Sequence, residues 1–175
     1  GNYRKEDQGV VIELYGRSDE GRSVTVLYRG FHPYFHIVEP RDEVREALSK
    51  DPKVMELKDR MLWFKGEMRP CLRVQIQFPY EVPNYRKRWQ DRGYTILAAD
   101  IPFINRFFYD LDLGSYVEVE CEPVDDRDHT TEMTVLSTSL KAVAPFKCRL
   151  KVLSFDIENS IRSGELYMVG YTIGW

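Results

Sequence analysis

The sharpest chemical signal in the 175-residue sequence is a pair of carboxylates two positions apart, Asp156 and Glu158, in the run CRLKVLSFDIE from Cys148 to Glu158. Read as a strand, this run puts Val152, Ser154, Asp156 and Glu158 on one face and Leu153, Phe155 and Ile157 on the other. The two carboxylates then point the same way, about 6.6 Å apart along the strand. Hard oxygen ligands at that spacing suit one divalent cation, or a pair of Mg²⁺ or Mn²⁺ ions about 3.5–4 Å apart. In phosphodiester hydrolysis one such ion generates the attacking hydroxide and the other stabilises the leaving oxyanion. The bland alternative is that acidic residues at a strand end simply face water.

Other residues with chemical potential are sparser. Asp125, Asp126 and Asp128 form an acidic loop that could complete a stand-alone metal-dependent nuclease with Asp156 and Glu158. His32 and His36 lie four apart in an extended run, on one face and without a carboxylate pattern, which favours a structural role over metal binding. His129 sits in the acidic loop and is expected to be solvated. The run YRKRWQDR, Tyr85 to Arg92, is the most basic stretch; on a helix it reads first as a solvated face and second as a phosphate contact. No GxSxG, GxxxxGK[ST] or GxGxxG pattern occurs, so nucleophile-elbow and phosphate-loop chemistry is unsupported.

The surrounding elements read as α+β. VVIELY and VTVLYRGF, separated by the polar turn RSDEGRS, give a hairpin signal. PYFHIV (Pro33 to Val38) is a third extended run, and Pro40 opens a short helix in which Val44 and Leu48 repeat four apart. LRVQIQF (Leu72 to Phe78) alternates strictly. Val82 to Gly93 reads as a helix with Pro83 in its first turn and Gly93 at its C-terminal end, followed by a strand from Tyr94 to Ala98. Past Leu113 the chain becomes strand-like on both sides of the acidic loop, and a soft boundary falls near Ser115. The last residues give a second hairpin, Cys148 to Ile157 with Glu165 to Gly174, and the ending at Trp175 without a closing element looks like a truncation that leaves a strand edge open to association.

Composition bounds the function. The chain has 43% apolar and 30% charged residues, which argues for a folded globular protein rather than a disordered one. With 25 Lys and Arg against 28 Asp and Glu, the formal charge of −3 supplies no global basic field, so any nucleic-acid contact must come from local patches. Cys71, Cys121 and Cys148 are odd in number, widely spaced and without a CxxC pair, which argues against a disulfide framework or zinc site and suits the cytoplasm. No run has the length of a membrane span, and the amino terminus lacks the apolar core of a signal peptide.

Three stretches, in order, carry a resemblance to a known family. VLSFDIE resembles the first exonuclease motif of the family B DNA polymerases, whose proofreading domain has an RNase H-like fold. VIELYGRSDEGRSVTVLYRGFHPYFHIVEP resembles the opening of that family's amino-terminal domain, and DIPFINRFFYDLDL its next characteristic segment. The resemblance implies an α+β domain of mixed and antiparallel sheets with short helices over residues 1–115, followed over 116–175 by the first strands of an exonuclease domain. It implies that Asp156 and Glu158 are catalytic metal ligands of a 3′→5′ proofreading exonuclease using Mg²⁺ or Mn²⁺. Two further acidic motifs and the polymerase palm, fingers and thumb would lie beyond Trp175, so the chain by itself is expected to be inactive and to hold no metal tightly. Its partners would be template and primer DNA, the remainder of the polymerase and, through that remainder, a sliding clamp, with no membrane.

Archaeal members of the family carry an amino-terminal pocket that captures deaminated bases, chiefly uracil, in the template. Matched motif by motif, that pocket falls on Tyr3, on Pro33 and Tyr34 of the FHPY element, on Val82 before the helix-opening proline, and on Ile101, Phe103 and Arg106 of DIPFINR. An apolar floor of Val, Ile and Phe can exclude the C5 methyl of thymine while backbone groups read the polar edge of uracil. Two rival expectations stand beside this one: the stand-alone nuclease, and a noncatalytic interaction module in which Asp156 and Glu158 are dispensable.

Overall fold

The computed structural model describes residues 1–7, 9–126, 128–146 and 152–174. Cys148, the first four residues of the run that contains it, and Trp175 lie outside the described residues.

Two sheets carry the architecture. The first is built from β1 (Asn2–Glu6), β2 (Gly9–Arg17), β3 (Ser23–Tyr28), β8 (Val117–Pro123) and β9 (Met133–Ala142), in the order β1-β2-β3-β9-β8. All its pairings are antiparallel except β3 with β9, which makes it a mixed sheet. The second is antiparallel, in the order β5-β6-β4-β7, from β4 (Tyr34–Val38), β5 (Val54–Phe64), β6 (Glu67–Ile76) and β7 (Ile96–Leu97). Three short helices, α1 (Asp42–Ser49), α2 (Val82–Gln90) and α3 (Phe103–Asp110), complete the α+β fold.

Each sheet owns a core. Phe35, Ile37, Leu72, Val74 and Ile76 alternate inward from β4 and β6 and meet Val44 and Leu48 of α1 and Tyr85 and Trp89 of α2. Val10, Ile12 and Tyr28 of the first sheet meet Phe103 and Phe107 of α3, with Phe78 from the chain just after β6. In all three helices the buried apolar pair is spaced i, i+4, so one stripe of each helix is spent on the core. The free stripe of α2 and the amino-terminal end of α3 are thereby available to a shared surface.

Several sequence expectations change in position or extent. Pro40 does not open α1: Arg41 is the N-cap, and Asp42 and Glu43 occupy the first turn, where carboxylates favour the positive end of the helix dipole. The strand expected over Leu72 to Phe78 begins earlier, at Glu67, because it is half of a long hairpin with β5, turned at Lys65 and Gly66 with φ of 50° and 88°. β5 has no alternation to read because it is an edge strand whose residues are mostly exposed or half-buried. The strand expected over Tyr94 to Ala98 shrinks to two residues, since Ala98 turns the chain with φ 58°. α3 had no helical expectation at all; its IPFINRFFYD sequence is rich in aromatics that are weak helix formers, and tertiary burial of Phe103 and Phe107 secures it.

The first sheet runs across the expected boundary at residue 115. β9 adds in parallel to β3, with Val26 opposite Val135, and β8 adds to β9. By contrast β10 (Val152–Asn159) and β11 (Leu166–Gly174) form a hairpin that, among the described residues, pairs only with itself.

Candidate nucleic-acid interface

Between the start of β4, the start of α2 and the start of α3 lies a cavity of about 460 Å³. Tyr3, Pro33, Tyr34, Val82, Ile101, Phe103 and Arg106 all line it, together with Pro79, Pro83, Arg86, Ala98, Ala99, Asp100, Pro102 and Ile104. Seven residues spread over more than a hundred positions of sequence are thus brought to one place. Prolines at four of the fifteen lining positions remove backbone donors and fix φ, which makes the rim stiff.

The local structure explains the convergence. Tyr3 comes from β1, the edge of the first sheet, and its ring meets Phe103 edge-on with centroids 5.2 Å apart. Phe103 is buried against Phe31 and is the last apolar layer between the cavity and the second core. Val82 and Arg86 share one stripe of α2, while Tyr85 and Trp89 on its other stripe are buried. Ala98 in its left-handed conformation carries the chain out of β7 and round to Ile101, a strained backbone position at the cavity wall.

Arg106 is the buried charged group of the site, at 4% exposure. Its guanidinium donates to the Ala98 carbonyl and lies over the Tyr34 ring, 4.2 Å from the ring centre. The Tyr34 hydroxyl donates to Asp110 Oδ2 at 2.7 Å. Burial, reinforced by that hydrogen bond, raises the Tyr34 phenol above its ordinary range, so it stays protonated and remains a donor. Tyr34 and Arg106 therefore brace one another through stacking and through Asp110, one turn after Arg106 on the same face of α3. An arrangement of this kind can hold a planar ligand against apolar walls and offer it a cation and backbone groups at the edge.

Arg86 is the functional candidate that motif matching missed. It is half-buried, lines the cavity, and among the described residues makes no ion pair. The usable signal was periodicity: a residue four after Val82 on the same helix must share its face. The basic run is thus split, with Arg86 turned to the cavity and Arg88 within 3.8 Å of Asp51.

The other candidates are placed elsewhere. Asp156 and Glu158 stand on the same side of β10, opposite Gly170 and Met168 of β11, and both are exposed. Asp156 Oδ1 accepts from the Ile157 amide at 2.9 Å. Among the described residues no three or more His, Cys, Asp or Glu side chains gather as a metal cluster. In the acidic loop Asp126 is held by His129 Nδ1 at 3.0 Å and Arg4 at 3.8 Å, and Asp128 approaches Arg4 at 3.5 Å, while Asp125 is exposed. His129 is not solvated, contrary to expectation. It folds back on β2, its Nε2 3.5 Å from Glu13, because an imidazole flanked by two carboxylates and Arg4 is better satisfied there than in a loop tip.

Comparison with known proteins places this fold. No protein-family model matches the chain. DNA polymerase 3 of Saccharolobus shibatae is 28% identical over 125 residues, 69% of this chain and 16% of that protein. DNA polymerase 2 of Aeropyrum pernix is 28% identical over 176 aligned residues, covering 90% of this chain and 22% of the relative. The solved family B DNA polymerase from the hyperthermophilic archaeon Pyrobaculum calidifontis superposes with a TM-score of 0.78 at 20% identity, over 98% of this chain and 24% of that one. The relatives that this chain matches in sequence are thus DNA polymerases of archaea, and the solved structure that it resembles in fold is a family B DNA polymerase.

This chain spans about a fifth of the length of these relatives. The structural likeness fixes the α+β fold, and the sequence relatives tie that fold to DNA polymerases. No helix among the described residues is long and apolar enough to cross a membrane.

Proposed function

We propose that this chain is the template-reading part of a family B DNA polymerase with a proofreading exonuclease, and that its cavity captures uracil from single-stranded template. The observation that carries this reading is the meeting of Tyr3, Pro33, Tyr34, Val82, Ile101, Phe103 and Arg106 at one cavity. A flipped base would stack on the apolar walls made by Val82, Ile101 and Phe103, with Tyr34 and Arg106 fixing its depth. Taking a base from an unpaired strand costs little, because stacking is all that must be broken. Rejection of thymine requires the apolar wall to close on C5–H of the bound base and leave no room for a methyl group, and one such group is worth about 1–3 kcal/mol in an apolar site.

In the same reading β10 contributes Asp156 and Glu158 to the exonuclease. Two adjacent carboxylates on an exposed strand face are the hard oxygen donors that Mg²⁺ or Mn²⁺ prefers. The ion, when bound, supplies an activated water and stabilises the leaving oxyanion. Asp156 and Glu158 would hold it, with carboxylates from elsewhere in the parent protein completing the set. Partners are template and primer DNA, the rest of the polymerase and, through it, a sliding clamp, all in the cytoplasm.

Fluorescence anisotropy with matched oligonucleotides that differ only in one U or T tests the pocket. The U strand should bind about tenfold or more tighter. Equal affinities would sink the uracil reading.

A further inference from the structure

Tyr34 joins the cavity to a second feature, on the sheet face that turns away from α1 and α2. One rung of that face crosses the sheet as Lys58, Arg73, His36 and Leu97, and Arg60 stands one step along β5 on the same side. The Arg73 guanidinium lies 3.9 Å from the centre of the Tyr34 ring, and Arg106 approaches the same ring. Two guanidiniums therefore meet at Tyr34, and the charges of Arg73, Arg106 and Arg60 all act on the neighbouring His36 imidazole, whose ring lies 5.4 Å from that of Tyr34. Among the described residues none of Arg60, Arg73 and Arg106 has a carboxylate within ion-pair distance; Asp110 already accepts the Tyr34 hydroxyl, and Glu56, on the same face of β5, is exposed opposite Gln75.

Two polar atoms at the centre are buried without a hydrogen-bond partner, His36 Nδ1 and Arg73 Nε, and they belong to cross-strand neighbours. Buried polar atoms nearly always have partners, and leaving one unpaired costs about 1–3 kcal/mol. Converging cations repel as well. Both costs are removed at once by an anion that accepts from His36 Nδ1–H and Arg73 while neutralising Arg60 and Arg106. Arg60 is exposed and Arg73 half-exposed, so the approach is from solvent. The same surroundings keep His36 neutral at pH 7, its pKa held down to about 4 by burial and by Arg106, Arg73 and Arg60.

We propose that His36, Arg60, Arg73 and Arg106 form a receptor for one phosphate group of a single-stranded DNA backbone beside the base-binding cavity. The placement beside a captured base rests on the pocket reading above; the phosphate site itself rests on the arginines and the two unpaired atoms. It gives strand capture a sequence-independent foothold that precedes any reading of the base.

The test uses the 175-residue chain with ¹⁵N-labelled histidine at pH 7, and oligo(dT) and inorganic phosphate as separate probes. Oligo(dT) should move the His36 ring resonances, with inorganic phosphate moving them in the same direction at higher concentration. For oligo(dT) binding, Arg73→Gln should lower the slope of log affinity against log salt by about 0.7, the value for one phosphate contact on a single strand. Arg60→Gln, on an exposed side chain, should lower it in the same direction and serves if Arg73→Gln does not fold. Movement with inorganic phosphate alone would make this a free-anion site and overturn the proposal, as would no movement with either probe or an unchanged slope in both variants. Oligo(dT) contains no uracil, so a failure of U over T discrimination would leave this outcome untouched.

Discussion

The cavity and the β10–β11 hairpin carry the two halves of the proposed chemistry, and they are supported very differently. The cavity is walled by β1, β4, α2 and α3, each anchored in one of two cores, and its cation is buried. Asp156 and Glu158 stand on a two-stranded hairpin on which Phe155, Ile157, Tyr167 and Tyr171 are all exposed. Two strands alone make a marginal structure in water. The cavity proposed for recognition is thus assembled from within this stretch of chain, whereas the proposed nuclease centre needs carboxylates and an apolar cover that the described residues do not supply.

The contrast is sharpest in stability. Phe107→Ala empties a fully buried site in the core under α3 and should cost about 3–5 kcal/mol in urea denaturation. Phe155→Ala, at a position 65% exposed, should stay within about 0.5 kcal/mol. A large loss from Phe155→Ala would mean that the hairpin is packed on the body, and would break the comparison.

Arg106→Met comes next in size. It strands the Ala98 carbonyl and unstacks Tyr34, and should weaken uracil-strand binding by about tenfold or more. Asp156→Ala should leave that affinity unchanged, and in the parent polymerase should remove proofreading while sparing extension. Parallel losses of strand binding in both variants would merge two regions held here to be separate.

A smaller effect is set by pH. Unfolded His36 titrates near its ordinary 6.5, and folded His36, facing Tyr34, Arg73, Arg106, Arg60 and Asp110, near 4. The unfolded chain therefore binds more protons between those values. His36 contributes its full stability above about pH 6.5, and that contribution drains away as the pH falls towards 4. In thermal melts across this window wild type should lose stability relative to His36→Leu as the pH falls. The hairpin contains no histidine, so its melting should show no corresponding step.

How much could be read beforehand follows the same divide. The first hairpin, the core positions Val44 and Leu48, and the strand at Leu72 were legible because one face of each is buried and the period shows. β5 and α3 were not. The first is an edge strand with no fully buried residue, and the second is an aromatic-rich segment whose helicity depends on what Phe103 and Phe107 pack against. At the cavity, family resemblance located seven residues in sequence but gave no account of Arg86, which only the helix face reveals. The Tyr34, His36, Arg73 and Arg106 cluster could not be seen in advance, since its members come from three elements whose pairing register is set by the whole sheet.

The central claim is that a base enters the cavity and rests on its apolar floor. A single-stranded oligonucleotide carrying one 5-fluorouracil places a fluorine at the carbon that distinguishes uracil from thymine. On binding, the ¹⁹F resonance should shift and broaden, and Phe103→Ala should reduce that shift while strand binding persists. A fluorine signal that stays at its free position while anisotropy shows the strand bound would contradict the account.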